Sequence, residues 1–353
     1  MSTSEKILID TLNIPVINEN RRYWLVRTDS GTLWEQFRSE DFIGINWNEF
    51  SDIQELSKSK SDKNIESDIK KKIQEIYNVE QGGRILNQIN RFLFDINIGD
   101  IVMIPSQNSS IISFGEVTSE IYKYELTDED MDNEKCDFIK RRNVKWIKDI
   151  SKKDLDPVLF KMLQAHQAIS NADLYAHEID RTLELLYIKG DNVHLTMMVT
   201  TKANIKGKDL YAIQKLVYDS LDVDTENLLM KINVQSPGPI EFITTHIWDI
   251  VKVLFVVNII IGGGKGLGFE MPGLLHWYHT IKQAKKQNDI EERKMKLEED
   301  KFEYEKEKSQ YEGLIKEFKE SLDKLKLELP KNTISKQNLK EELAIDSEED
   351  DEN

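Results

Sequence analysis

The chain has 353 residues and a formal net charge of −16, from 48 Lys and Arg against 64 Asp and Glu. That balance excludes a protein that coats nucleic acid through bulk positive charge. A hydrophobic content of 39% predicts real cores, and the length predicts about two domains. A single cysteine, Cys136, excludes an intrachain disulfide and argues against a cysteine-built zinc site.

Residues 1–20 read as a short leader. No basic stretch is followed by an apolar one, so no signal peptide is predicted, and a reducing cytoplasm is the expected compartment. Residues 23–28 (YWLVRT) read as a strand, and Leu33, Trp34 and Phe37 have helical spacing. Residues 42–47 (FIGINW) form a second strand. The polar stretch 57–68 is expected to be a loop or helix lead-in, and helical periodicity follows over 69–77 and 84–94. Gly99-Asp100 makes a turn into a buried strand over 101–105. Residues 111–124 predict a strand pair or one bent strand, with Gly115 permitting the bend of a small barrel. An acidic loop is expected over 127–135, a strand over 137–147 and a helix over 154–164.

After about residue 188 the pattern changes. A strand over 194–201, an amphipathic helix over 207–221 and strands over 228–235 and 240–243 predict a small α/β unit across 190–270. The apolar run 247–264 is broken by Asp249, Lys252 and Asn258, so it reads as a buried helix rather than a membrane span. Residues 272–329 predict one long helix. Ile290, Leu297, Tyr304, Tyr311, Phe318 and Leu325 recur every seven residues, with Ile315, Leu322 and Leu329 at the companion position. The partner of that stripe is either a second copy or the protein's own body. The tail 330–353, with eight acidic residues after position 340, reads as solvated and disordered. The predicted class is therefore α+β: an N-terminal β-barrel with helices (21–188), a small α/β unit and a coiled-coil helix.

Five segments in order carry a resemblance across 22–185: RYWLVRT (22–28), FIGINWNEF (42–50), GRILNQINRF (83–92) ahead of INIGDIVMIP (96–105), SFGEVTSEIYKYE (113–125) and RRNVKWIKDISKKDL (141–155). In this order they resemble the EVE-like branch of the PUA superfamily. The run Arg-Arg-x-Val-Lys-Trp-Ile is similar to versions in bacterial restriction and phage-defence proteins. The resemblance implies a barrel that binds a modified nucleobase or a nucleotide without transforming it. It also implies a role in prokaryotic antiviral defence, possible partners being nucleic acid and a defence-system protein.

Reading a duplex base requires extruding it, and aromatic stacking offsets that cost. The candidate contacts are Trp47, Trp24 and Tyr23 for stacking. Asn48 is the candidate for edge recognition, and Pro105 and Ser106 for backbone groups at a strand end. Trp24 and Trp47 each have a competing reading as core, and Pro105 and Ser106 have one as an ordinary loop. Tyr23 and Trp24 are out of phase on a strand, so at most one of them faces a pocket. Arg141, Arg142 and Lys145, in the dense basic stretch with Lys140 and Lys148, are candidates for phosphates or else a solvated strand face.

Catalytic patterns are missing from the sequence. Gly262–Gly268 lacks the spacing of a phosphate loop and reads as a hinge or oligomer contact. His276 and His279 have no partner placed to complete a metal site. No cofactor, metal or catalytic residue is expected. The expected function is a non-enzymatic sensor that assembles as a homo-oligomer through its C-terminal helix. The rival readings are a membrane-acting effector through 244–275 and a structural assembly protein.

Overall fold

The computed structural model of the chain describes residues 5, 6, 9, 10, 13–133, 135–201, 204–219, 228–232, 238–261, 305, 306, 309, 312, 313 and 315–328. They belong to two compact units. One contains Asn20–Leu183, and the other combines Met1–Glu19 with Glu184–Asn332. The first strand, β1 (Val16–Ile17), belongs to the second unit, and Glu5, Lys6, Ile9 and Asp10 ahead of it are helical.

The Asn20–Leu183 unit is built on a curled seven-stranded sheet. Its strands are β2 (Tyr23–Val26), β3 (Phe42–Ile45), β4 (Ile101–Pro105), β5 (Ile111–Val117), β6 (Tyr122–Lys123), β7 (Lys140–Ser151) and β8 (Ile169–Asn171). The order is β3-β7-β5-β4-β2-β8, with β6 also paired to β7. β2 and β4 run parallel, and the other pairs are antiparallel. Strand alternation places successive side chains on opposite faces, and here both faces are buried. Trp24, Val26, Val102 and Ile104 share one core cluster, while Tyr23, Leu25, Ile101 and Met103 share the other. Two-sided burial explains why these strands read as continuous apolar runs. The register slips between Phe114 and Gly115, so the bend expected at Gly115 is a bulge. A Cβ at Gly115 would meet Val144 Cγ1 at 2.3 Å, so only glycine lets β7 lie this close.

Helices cover the rest. α1 (Trp34–Ser39) is followed by α2 (Ile53–Ser59) and α3 (Lys63–Tyr77), then α4 (Gly82–Asn90), which continues into a π-helical turn over Arg91–Asp95. Of the two readings of the polar stretch 57–68, the helix lead-in is the one found: it holds the end of α2, a break at 60–62 and the start of α3. Asp52 and Asp62 each accept two backbone N–H bonds and start a helix on either side of a short break. The acidic segment after Thr127 is likewise a short helix, α5 (Asp128–Asp132). Thr127 and Asp130 cap it reciprocally. The expected helix over 154–164 is a 3₁₀ turn at Pro157–Leu159 followed by α6 (Phe160–Leu163), and α7 (Ala176–Leu183) closes the unit.

The second unit holds a six-stranded sheet. Its strands are β1, β9 (Leu186–Lys189), β10 (Asn192–Val199), β11 (Leu229–Ile232), β12 (Gly238–Thr244) and β13 (Leu327–Glu328). The order is β1-β9-β10-β12-β11, with β13 on β10. Val16 and Ile17, within the stretch expected as a leader, are instead part of this sheet, because β1 pairs in parallel with β9. β9 also moves the boundary from the expected 188 to 183. α8 (Gly207–Asp219) and α9 (Ile247–Ile261) cover this sheet. Ile247, Ile250, Val251 and Leu254 of α9 are buried in the core, whereas Asp249 and Lys252 are partly exposed. No helix among the described residues is long and apolar enough to cross a membrane.

The C-terminal helix ends earlier than expected. Its described stretch packs Leu322 and Leu325 into the second unit's core, with Ile315 and Phe318 against it. Lys326 then takes a left-handed conformation (φ 46°) and β13 begins. Over these residues the apolar stripe faces the protein's own body. Ile290, Leu297, Tyr304, Tyr311, Leu329, Gly262–Gly268, His276, His279 and the acidic tail lie outside the described residues.

Candidate functional site

The curled sheet of the Asn20–Leu183 unit has two edge strands, β3 and β8, and these are not paired with each other. A cavity of about 580 Å³ lies where they fail to meet. Gly44 and Ile45 line it from β3, and Asn46 and Trp47 from the turn that follows. His166 and Ala168 precede β8, and Arg27, Asp29 and Ser30 follow β2. Gln88 comes from α4, and Phe138 from the approach to β7. This size is ordinary for a small-molecule site.

Two aromatic rings give the cavity apolar walls. Phe138 lies against Gly44, where a Cβ would approach Phe138 Cβ at 3.2 Å and the Lys140 carbonyl at 3.3 Å. Trp47 is half-buried, and its ring packs partly on the clusters around Phe42 and Leu86. Its backbone has φ 63°, the left-handed region that bulky residues avoid. The turn is held from three sides. Trp47 N–H donates to Asn46 Oδ1 at 2.6 Å, and its carbonyl accepts from Phe50 N–H at 3.0 Å and from Lys140 Nζ at 2.7 Å.

Polar groups line the remainder. The Arg27 guanidinium donates through Nε and Nη2 to the Ala165 carbonyl at 2.9 and 2.6 Å, and through Nη2 to Leu163. Burial lowers its pKa, yet guanidinium remains charged at any ordinary pH. Gln88 Oε1 accepts from Ala168 N–H at 2.5 Å, which ties α4 to the approach of β8. Asp29 and Ser30 are exposed, with φ 49° and 59°, and His166 is exposed at the rim. The cavity therefore combines two aromatic walls, one fixed cation, a carboxylate and an imidazole.

Of the nine residues the sequence singled out, Trp47 alone lines this cavity. Tyr23 and Trp24 are each 1% exposed and belong to opposite cores. Tyr23 Oη donates to Asp180 at 2.6 Å, and Trp24 Nε1 donates to Asp100 at 3.0 Å. Asn48 bridges backbone: Nδ2 donates to the Asp137 carbonyl at 2.9 Å, and Oδ1 accepts from Ile139 N–H at 3.2 Å. Pro105 and Ser106 are buried at the far end of β4, where the Pro105 carbonyl accepts from Thr28 Oγ1 and Ser106 Oγ from Ile111 N–H.

The basic stretch is likewise structural for the most part. Arg141 is buried between the rings of Phe42 and Tyr124 and donates to the carbonyls of Phe138 and Cys136. Arg142, 1% exposed, donates to the carbonyls of Phe92, Leu93 and Ser119. Neither guanidinium is presented to a phosphate, because each satisfies buried carbonyls of its own unit. Lys148 is buried and donates to the Thr182 carbonyl. Lys145 is exposed on β7. Sequence reasoning missed Arg27, Asp29, Gln88, Phe138 and His166. The one local signal for them was Arg27 at the end of the first strand, directly before the turn residues Asp29-Ser30-Gly31.

Comparison with known proteins adds little. Residues 22–170 match the model of a domain of unknown function (DUF8426). No curated protein matches. Among solved structures the chain is similar to the crystal structure of protein Atu2648 from Agrobacterium tumefaciens. The identity is 15%, covering 45% of this chain and 91% of that one, with a TM-score of 0.22.

Proposed function

We propose that the Asn20–Leu183 unit is an EVE/PUA-like reader that binds a flat heterocycle, a modified nucleobase or a nucleotide, in the seam cavity and does no chemistry on it. The observation that carries this reading is Trp47: a half-buried indole on a left-handed backbone at the wall of a cavity of about 580 Å³. Strained backbone of this kind persists where the surroundings over-determine it, and it clusters at binding sites. Stacking on an indole returns about 1–3 kcal/mol per base whatever the base, which leaves selection to the polar rim. Asp29 can accept from an exocyclic amine, and Arg27 can meet a carbonyl or phosphate oxygen. Arg27 replaces Arg141 and Arg142 as the cation of the site. The second unit then serves assembly or a partner protein, in a defence role implied by the sequence resemblance.

Calorimetric titration of the full chain with nucleosides, nucleotides and plain and modified oligonucleotides tests this. Saturable binding by at least one, reduced tenfold or more in Trp47→Ala, is expected. Failure of every probe to bind would remove the reading.

A further inference from the structure

The turn that carries Trp47 has one anchor from far away in the sequence. Phe50 N–H and Asn46 Oδ1 are local partners, but Lys140 Nζ reaches the Trp47 carbonyl from β7, 93 positions on. Lys140 is 1% exposed. Its ladder partner on β3 is Ile45, and opposite it on β6 stands Lys123, a charge of the same sign. Glu49, in the Trp47 turn itself, is the opposing charge, and it accepts a hydrogen bond from Tyr77 Oη of α3. A buried ammonium is costly unless it is hydrogen-bonded, and the acceptor here is the carbonyl of the strained residue.

We propose that Lys140 is a positioning residue for the seam cavity: through the Trp47 carbonyl it holds the left-handed turn that sets the indole against the cavity. This rests on the reading of Trp47 as a ligand contact. Loss of the Nζ donor leaves Phe50 N–H as the carbonyl's remaining partner among the described residues, and φ of Trp47 relaxes toward the extended region. Burial also lowers the Lys140 pKa to about 8, with Lys123 acting in the same direction and Glu49 against it. The contact is charge-assisted below that pH and weaker above it.

The test uses the full chain labelled with fluorotryptophan, with the Trp47 fluorine resonance assigned by Trp47→Phe. In the wild type that resonance titrates with a midpoint near 8. In Lys140→Met it is displaced and independent of pH, while the other tryptophan resonances keep their positions. Lys140→Arg, which retains a donor but does not ionise in this range, restores the low-pH position. A Trp47 resonance that is flat with pH in the wild type, or unmoved in Lys140→Met, overturns the proposal. Should Lys140→Met fail to fold, the wild-type titration and Lys140→Arg decide it. The four nucleosides and their monophosphates are then added as probes. For any that binds, Lys140→Met weakens binding by roughly tenfold, the loss expected when about a tenth of the molecules still hold the turn in its binding conformation. If the resonance behaves as expected and no probe shifts it, positioning stands and the nucleobase reading falls.

Discussion

The indole of Trp24 donates to the carboxylate of Asp100 at 3.0 Å, inside a core that leaves the tryptophan 1% exposed. The same carboxylate accepts Asn97 N–H at 2.9 Å and Arg22 N–H at 3.1 Å. One side chain thus ties the turn before β4 to the start of β2. Asp100→Ala leaves three donors without an acceptor and is expected to destabilise by about 3 kcal/mol or more, whereas Trp24→Phe, judged by its lost hydrogen bond, costs about 1–2 kcal/mol. Urea denaturation of the two variants checks the order. The reverse order would mean that the aspartate is not the hub.

Trp47 makes a backbone prediction independent of any ligand. With φ at 63°, glycine is relaxed there and alanine is strained. Trp47→Gly is expected to be more stable than Trp47→Ala by about 1 kcal/mol, the opposite of the usual order. Paired denaturation curves measure the difference, and an alanine variant that is the more stable would show that the turn is not left-handed in solution.

Lys140 predicts how stability changes with pH. Its pKa is about 8 in the fold and 10.5 when unperturbed. Between those values the unfolded chain holds a proton that the folded chain has released. Raising the pH through this window therefore favours the folded state, and the penalty for charging the buried amine is fully present below pH 8. Relative to Lys140→Met, the wild type should gain stability on the order of 3 kcal/mol in total across the window. Parallel melting curves at several pH values read this as a difference in slope, and identical slopes would contradict it.

Gly115 predicts a packing defect. A Cβ there would meet Val144 Cγ1 at 2.3 Å and Trp146 Cε3 at 2.7 Å. Gly115→Ala must push β5 and β7 apart at the bulge, at about 1–3 kcal/mol. A lowered melting temperature checks this, and an unchanged one would mean that the bulge has room to move.

Much of the fold is legible in local pattern. The strands at 23–26, 42–45, 101–105 and 111–117 follow from apolar runs bounded by turns, and the helices from 3.6-residue spacing. The choice left open at 57–68, loop or helix lead-in, and the miss at 127–135 both turn on capping. Asp52, Asp62, Thr127 and Asp130 supply side-chain acceptors that make helices out of segments whose composition reads as loop.

The candidate site was less legible. A tryptophan or arginine carries the same chemistry whether it faces a core or a cavity, and only distant partners decide which. Trp24 meets Asp100 across 76 positions, and Arg142 meets the carbonyls of Phe92 and Leu93 across 50 and 49. Arg27, Gly44, Gln88, Phe138 and His166 come together because the curled sheet leaves its two edge strands unjoined. The amino-acid order by itself determined which segments become strands and helices, since that depends on neighbours within a few residues. The tertiary structure decided which aromatic ring meets the cavity and which cations are already engaged, since those outcomes depend on side chains that only folding brings within hydrogen-bond reach.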